Sequence, residues 1–174
     1  METKGTIFDL FQTAVHAETE AYAFYLKLSY AFSHVAEAAR FWKGMMADEI
    51  QHSRDLSQMM SLLPRDELDT PADPEMLEKA RRVLSLLKGA AAEHVESLDE
   101  AYFLAAKIES SEVNDVFRFL IGKYLASESA KATVSEMERH REKIRAFAGT
   151  FGDSEKRKAV KARSAYAWDW SEED

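Results

Sequence analysis

Between Ala38 and Leu63 the apolar residues keep one rhythm. Ala38, Trp42, Met45, Leu56, Met59 and Leu63 fall on alternating steps of four and three, and the two positions missing from that series are Glu49 and His52. Such spacing marks one face of an α-helix, the face that a helix buries. The segment is therefore constrained to be helical and to carry a carboxylate and an imidazole inward, three residues apart, where both can reach one metal ion. A Glu-x-x-His alone is common on solvated helices; its place inside an apolar stripe gives it weight. Asp48, Gln51 and Arg54 fall off the stripe and need no special role.

Three more stripes repeat the pattern. The first helix, starting near Thr6 with Asp9 complementing its N-terminus, reads Ile7, Phe11, Ala14, Glu18, Ala21, Tyr25, Leu28. Glu20 falls with His16 and Lys27 on a wetter face, so Glu18 is the inward carboxylate and Glu20 its alternate. A third helix, opened by a capping box at Ser97-Leu98-Asp99-Glu100, reads Leu98, Tyr102, Ala105, Glu109, Glu112, Val116, Phe119. After a turn near Ser127-Glu128-Ser129, a fourth reads Ala130, Thr133, Met137, His140, Ile144, Phe147, with Glu136 on its flank.

The intervening segments read as connections. The chain breaks around Ser33-His34, and the stretch from Pro64 to Pro74 holds all three prolines, which makes it a crossover between two helical hairpins. A shorter helix over 75–87, with Met76, Ala80, Val83, Leu84 and Leu87 apolar, is expected to end at Gly89. His94 has no acidic companion and reads as a surface histidine. Gly149 and Gly152 close the fourth helix, giving a bundle domain over 1–152 and a tail over 153–174. Trp168 and Trp170 in that tail make it a candidate docking segment.

With only six glycines and three prolines in 174 residues, an all-α fold with a four-helix bundle is expected. The net charge of −8 argues against nucleic acid as a partner. The chain has no membrane-length apolar run, so a cytoplasmic protein is expected. It has no cysteine, which excludes a disulfide, a thiolate iron site or a thiol nucleophile within it.

Burying one unpaired carboxylate costs several kcal/mol. A core that collects Glu18, Glu49, Glu109 and Glu112 around His52 and His140 thus calls for cations, and two metal ions answer it. Oxygen ligands with some imidazole suit iron or manganese, with zinc as a further candidate. Inward ligands on four facing helices match the layout of carboxylate-bridged dimetal bundles.

The residues also carry a family resemblance. Over 5–149 the chain resembles the ferritin-like superfamily, in its rubrerythrin-related branch. The phrase Glu18-Thr19-Glu20-Ala21-Tyr22-Ala23-Phe24-Tyr25-Leu26-Lys27-Leu28 is similar to that branch's acidic, Phe-Tyr-bearing first helix, whose ligand carboxylate lies seven positions before a tyrosine. Glu109 and Glu112 match its paired third-helix ligands, with Phe117 where the branch has tyrosine. The fourth helix departs: Met137 stands where a second Glu-x-x-His would have its carboxylate, leaving Glu136 or Glu112 to substitute.

The resemblance implies a di-iron protein that reduces peroxide or oxidises ferrous iron, with Tyr25 beside the metal-bound oxygen. Its substrates would be peroxide or dioxygen. Lacking the branch's rubredoxin-like domain, it would take electrons from a separate donor protein, and it would pair as a homodimer. The alternative is a non-catalytic metal-binding or interaction bundle with a partly degenerate site.

Overall fold

The computed structural model describes residues 5–109, 111, 113–125, 135, 139–140, 142–144 and 146. Among them the chain is helical: α1 (Ile7–Ala31), α2 (Ala36–Leu62), the single turn α3 (Arg65–Leu68), α4 (Pro74–Ala92), α5 (Leu98–Glu109) and α6 (Val113–Tyr124). Residues 139–140 and 142–144 are helical as well. Glu112, Glu136, Met137 and the 153–174 tail with Trp168 and Trp170 lie outside the described residues.

Side chains begin these helices as their chemistry requires. Thr6 and Asp9 form a reciprocal capping box: the Thr6 hydroxyl accepts from Asp9 N at 3.2 Å, and the Asp9 carboxylate accepts from Thr6 N at 2.7 Å. Asp73 Oδ1 accepts from Glu75 N and Met76 N, and Pro74, which has no amide hydrogen to satisfy, takes the first helical position. At α5 the Ser97 hydroxyl accepts from Glu100 N, but the Glu100 carboxylate accepts from Glu96 N, one residue before the cap.

Two expectations about element bounds are corrected. Gly89 does not end α4, which runs on to Ala92; a Cβ there would meet nothing outside its own stretch of helix, so Gly89 is an exposed helical position, and there the cost of glycine is small against the packing of Leu87 and Ala90. The buried face of α4 uses Leu77 rather than Met76. The single helix expected from Leu98 through Phe119 is two helices, interrupted after Glu109. Beyond the interruption the stripe shifts: Val116, Phe117, Leu120 and Ile121 are buried, and Phe119 is half-buried.

Packing divides into two apolar cores stacked along the helices. One holds Ile7, Phe11 and Ala14 of α1, Leu56 and Met59 of α2, Leu77 and Ala80 of α4, and Phe117 and Leu120 of α6. The other holds Ala21, Phe24 and Tyr25 of α1, Trp42 and Met45 of α2, Val83 and Leu87 of α4, and Tyr102 and Ile108 of α5. Chain direction follows from this membership. Helix α1 enters at the first core and leaves through the second, α2 returns, α4 repeats the path of α1, and α5 with α6 comes back down.

The crossover is likewise corrected. Leu68 and Ala72 both pack in the first core, so the proline-rich stretch stays at one end and α4 itself travels the length of the molecule. Phe24 is fully buried in the second core. Phe24→Ala is expected to cost about 3–5 kcal/mol, read as a lowered midpoint in urea unfolding. Among the described residues no helix is long and apolar enough to cross a membrane.

Candidate metal centre

Between the two cores lies a polar layer. On α1 it falls at Glu18, on α2 at Glu49 and His52, on α5 at Glu109, and the helical residues near the end of the described chain add His140. All five are buried, with exposures of 4% for Glu18, 3% for Glu49, 7% for His52, 8% for Glu109 and 2% for His140. Helix α4 passes this level between Ala80 and Val83, where Arg81 and Arg82 face outward and no polar side chain is buried. Glu20 is half-buried and His94 exposed, and neither joins the layer.

Glu49 sits at the centre. Its Oε2 lies 3.1 Å from His52 Nδ1, and its Oε1 lies 3.3 Å from His140 Nε2. Glu18 Oε2 stands 3.6 Å from the same His52 nitrogen, and Glu109 Oε1 stands 3.2 Å from the same His140 nitrogen. Two triads result, Glu18–Glu49–His52 and Glu49–Glu109–His140, and within each the ligand atoms lie within 4.8 Å of one another. Metal–ligand bonds of about 2.0–2.2 Å place atoms on opposite sides of an ion about 4.0–4.4 Å apart, so small side-chain shifts close either triad on a metal.

The polar groups are under-satisfied without a cation. Neither ring nitrogen of His140 has a well-directed hydrogen bond to a described residue, although oxygens of Asp48, Glu49 and Glu109 stand within 3.5 Å. The Nε2 atom, at nearly equal distance from Glu49 and Glu109 and bonded to neither, is placed as a metal ligand would be. Three buried carboxylates against two imidazoles also leave one carboxyl group whose charge only a proton or a cation can offset in a dry layer. The residues present can therefore hold metal ions.

The electrostatics of the metal-free layer point the same way. Burial raises Glu49, and although His52 and His140 pull against it the carboxyl is pushed up to about 8. Burial disfavours the imidazolium of His52, but its hydrogen bonds to Glu18 and Glu49 outweigh this and lift it to about 11. Burial likewise opposes charge on His140, and the neighbouring Glu109 overrides it, lifting the ring to about 9. For Glu109 burial is outweighed in turn by His140 and Tyr25, which hold it below the usual carboxylate value. Protons thus take the place that metal charge would occupy.

Tyr25 does not stand free in the layer. Its hydroxyl donates to Glu109 Oε1 at 2.8 Å, so its first task is to orient that carboxylate. Burial, with Glu109 and Glu49 adding to it, raises the phenol well above its ordinary value and keeps it a donor. Phe117 packs against the His52 ring, with centroids 5.2 Å apart, closing the layer on the side of the first core.

Asp48 falls off the apolar stripe, yet its carboxylate lies 3.5 Å from His140 Nδ1 and pairs with Lys143 Nζ. A residue next to Glu49 projects about 100° around the helix, enough to face the neighbouring helix instead of the layer. A visible signal was Lys143, one turn after His140. Because an imidazole whose far nitrogen faces a carboxylate presents a fixed ring face, Asp48→Asn is expected to weaken metal binding on the His140 side by about 10–100-fold. Competition against a chromophoric chelator reads this, with the His52 side as internal control.

Compared with known proteins, the chain matches no family model, no curated protein and no solved structure. Its class is set by fold and site alone: an all-α protein with a buried carboxylate–histidine layer able to hold metal ions.

Proposed function

We propose that this chain binds a pair of metal ions, iron in preference, and uses them to reduce peroxide or to oxidise ferrous iron. The observation that carries this reading is the divided attention of Glu49, one oxygen toward His52 and the other toward His140. A carboxylate so placed could offer one oxygen to each of two neighbouring ions, as the inward glutamates of four-helix dimetal bundles do. The repeated four-and-three stripes and the resemblance to rubrerythrin-related ferritin-like bundles support the same reading, with α1, α2, α5 and the His140 helix as the four ligand-bearing helices.

When bound, the ions supply redox change and Lewis acidity toward peroxide or dioxygen. The chain supplies the rest. Glu18 and His52 complete one position, Glu109 and His140 the other, and Tyr25 fixes the Glu109 oxygen. Trp42, Met45, Leu56 and Phe117, above and below the layer, keep it dry. Having no cysteine, the chain holds no thiolate iron site of its own, so electrons come from a separate donor protein.

Anaerobic titration with ferrous iron, followed by metal analysis after desalting, is expected to give two ions per chain; one or none would count against the reading. Adding peroxide to the loaded protein is then expected to oxidise the iron within the mixing time of a stopped-flow experiment. If peroxide leaves the loaded iron ferrous, metal holding alone remains.

A further inference from the structure

The second core contains an aromatic layer in register with the metal layer. Tyr25 follows Glu18 by seven residues on α1, Trp42 precedes Glu49 by seven on α2, and Tyr102 precedes Glu109 by seven on α5. Seven residues are two helical turns, about 10 Å. Because α1 runs opposite to α2 and α5, these three spacings place all three rings on the same side of the carboxylates. The rings meet there: Tyr25 stacks on Trp42 with centroids 5.9 Å apart and 12° between planes, and Trp42 stacks on Tyr102 at 4.9 Å and 28°. Both distances lie within the range of packed aromatic pairs. Half-buried Phe41 packs edge-on against Trp42 and Tyr102, and Phe103, next to Tyr102 in sequence, is 37% exposed.

We propose that Tyr25 and Trp42 form a relay for single electrons between the metal layer and the outside of the second core, with the stacked Tyr102 ring coupling Trp42 toward that outside. The proposal rests on the metal-pair reading above. Hydrogen peroxide needs two electrons and two protons to become two waters, and a one-electron donor, such as a reduced flavin, delivers them singly. In each passage Tyr25 gives an electron to the metal layer and its phenolic proton to Glu109 across their hydrogen bond. Trp42 returns an electron to Tyr25, which takes the proton back from Glu109. The oxidised indole keeps its own proton, because Trp42 Nε1 is buried with no hydrogen-bond partner among the described residues, and the external donor refills it. Two passages, with two protons from solvent, complete the reduction.

An ordinary aromatic core would pack equally well without being oxidised, so the test reads the radical and not only the turnover. Iron-loaded protein is mixed with hydrogen peroxide and reduced flavin mononucleotide, frozen at intervals and examined by electron paramagnetic resonance. A tyrosyl signal is expected in the wild type and absent in Tyr25→Phe. In Trp42→Phe the signal is expected to form and to decay at least tenfold more slowly, and Trp42→Tyr, which restores an oxidisable ring, is expected to recover most of the wild-type decay. Wild-type decay in Trp42→Phe at equal metal content, or a signal that survives Tyr25→Phe, overturns the relay. Metal content below two ions per chain, or iron that peroxide does not oxidise, overturns the metal-pair reading and the relay with it, and is measured on the same samples beforehand. Should Trp42→Phe fail to fold, fluorotryptophan incorporated into a chain with Trp168→Phe and Trp170→Phe keeps the ring's shape while raising its potential. An unchanged decay there overturns the relay equally.

Discussion

Glu49→Ala is expected to abolish binding of both metal ions, whereas Glu18→Ala abolishes or weakens one. Each position has three described ligands, and Glu49 is counted in both sets. Removing Glu18 leaves Glu49 and His52 on one side and an intact triad on the other. Removing Glu49 leaves two residues on each side, Glu18 with His52 and Glu109 with His140, with no shared carboxylate to hold the ions together. Removing a partner that only orients a ligand costs about 10–100-fold in affinity, so loss of a shared direct ligand is expected to exceed that at both positions. Ferrous titration with metal analysis should therefore fall from two ions to none in Glu49→Ala and to about one in Glu18→Ala. Equal loss in the two variants would show that Glu49 is not shared. Glu49→Ala is also expected to consume peroxide no faster than metal-free protein.

The second large effect is on pH dependence, and its sign follows from the protons in the layer. His52 and His140 are raised above the ordinary histidine value of about 6.5, to about 11 and about 9. Their contribution to stability is fully present below about 6.5 and is lost as pH rises through 9 and on toward 11. Glu49, raised to about 8, acts in the same direction, because its native state holds a proton that the unfolded chain has already released. Glu109 is held below the ordinary value and opposes this only in acid, where its contribution is lost as pH falls. Metal-free protein is thus expected to melt lower at pH 10 than at pH 6.5, by on the order of 5–10 °C. Metal-loaded protein should change much less over that interval, because its ligands have already given up their protons. The same protons must leave on binding, so loading at pH 7 should release protons, measurable by calorimetry in buffers of different ionisation enthalpy, and affinity should rise with pH up to about 9 on the His140 side and on toward about 11 on the His52 side.

Much of this molecule was legible in the order of its residues. A stripe on steps of four and three reports which face a helix buries without reference to any partner, so Glu18, Glu49, His52, Glu109 and His140 could be assigned inward one helix at a time. The same local rule located Thr6, Asp9 and Ser97 at helix starts, where side-chain oxygens meet amide hydrogens that the helix leaves open. It failed where the local signal was weak beside packing. Gly89 reads as a stop, yet Leu87 and Ala90 carry α4 past it. The stripe through Glu109 looks continuous to Phe119, yet the helix breaks after Glu109 and resumes with Phe117 and Ile121 inward.

By itself, then, the sequence determined the helical class and the inward faces, because both depend on residues a turn or two apart on one helix. Only the tertiary structure decided which inward groups meet. That Glu49 turns its two oxygens to two histidines, that Tyr25 spends its hydroxyl on Glu109, that Asp48 faces His140, and that Trp42 lies stacked with Tyr25 and Tyr102 are all relations between helices. They depend on axial register and rotation, which are set by how two whole cores pack and which no periodicity within a single helix encodes.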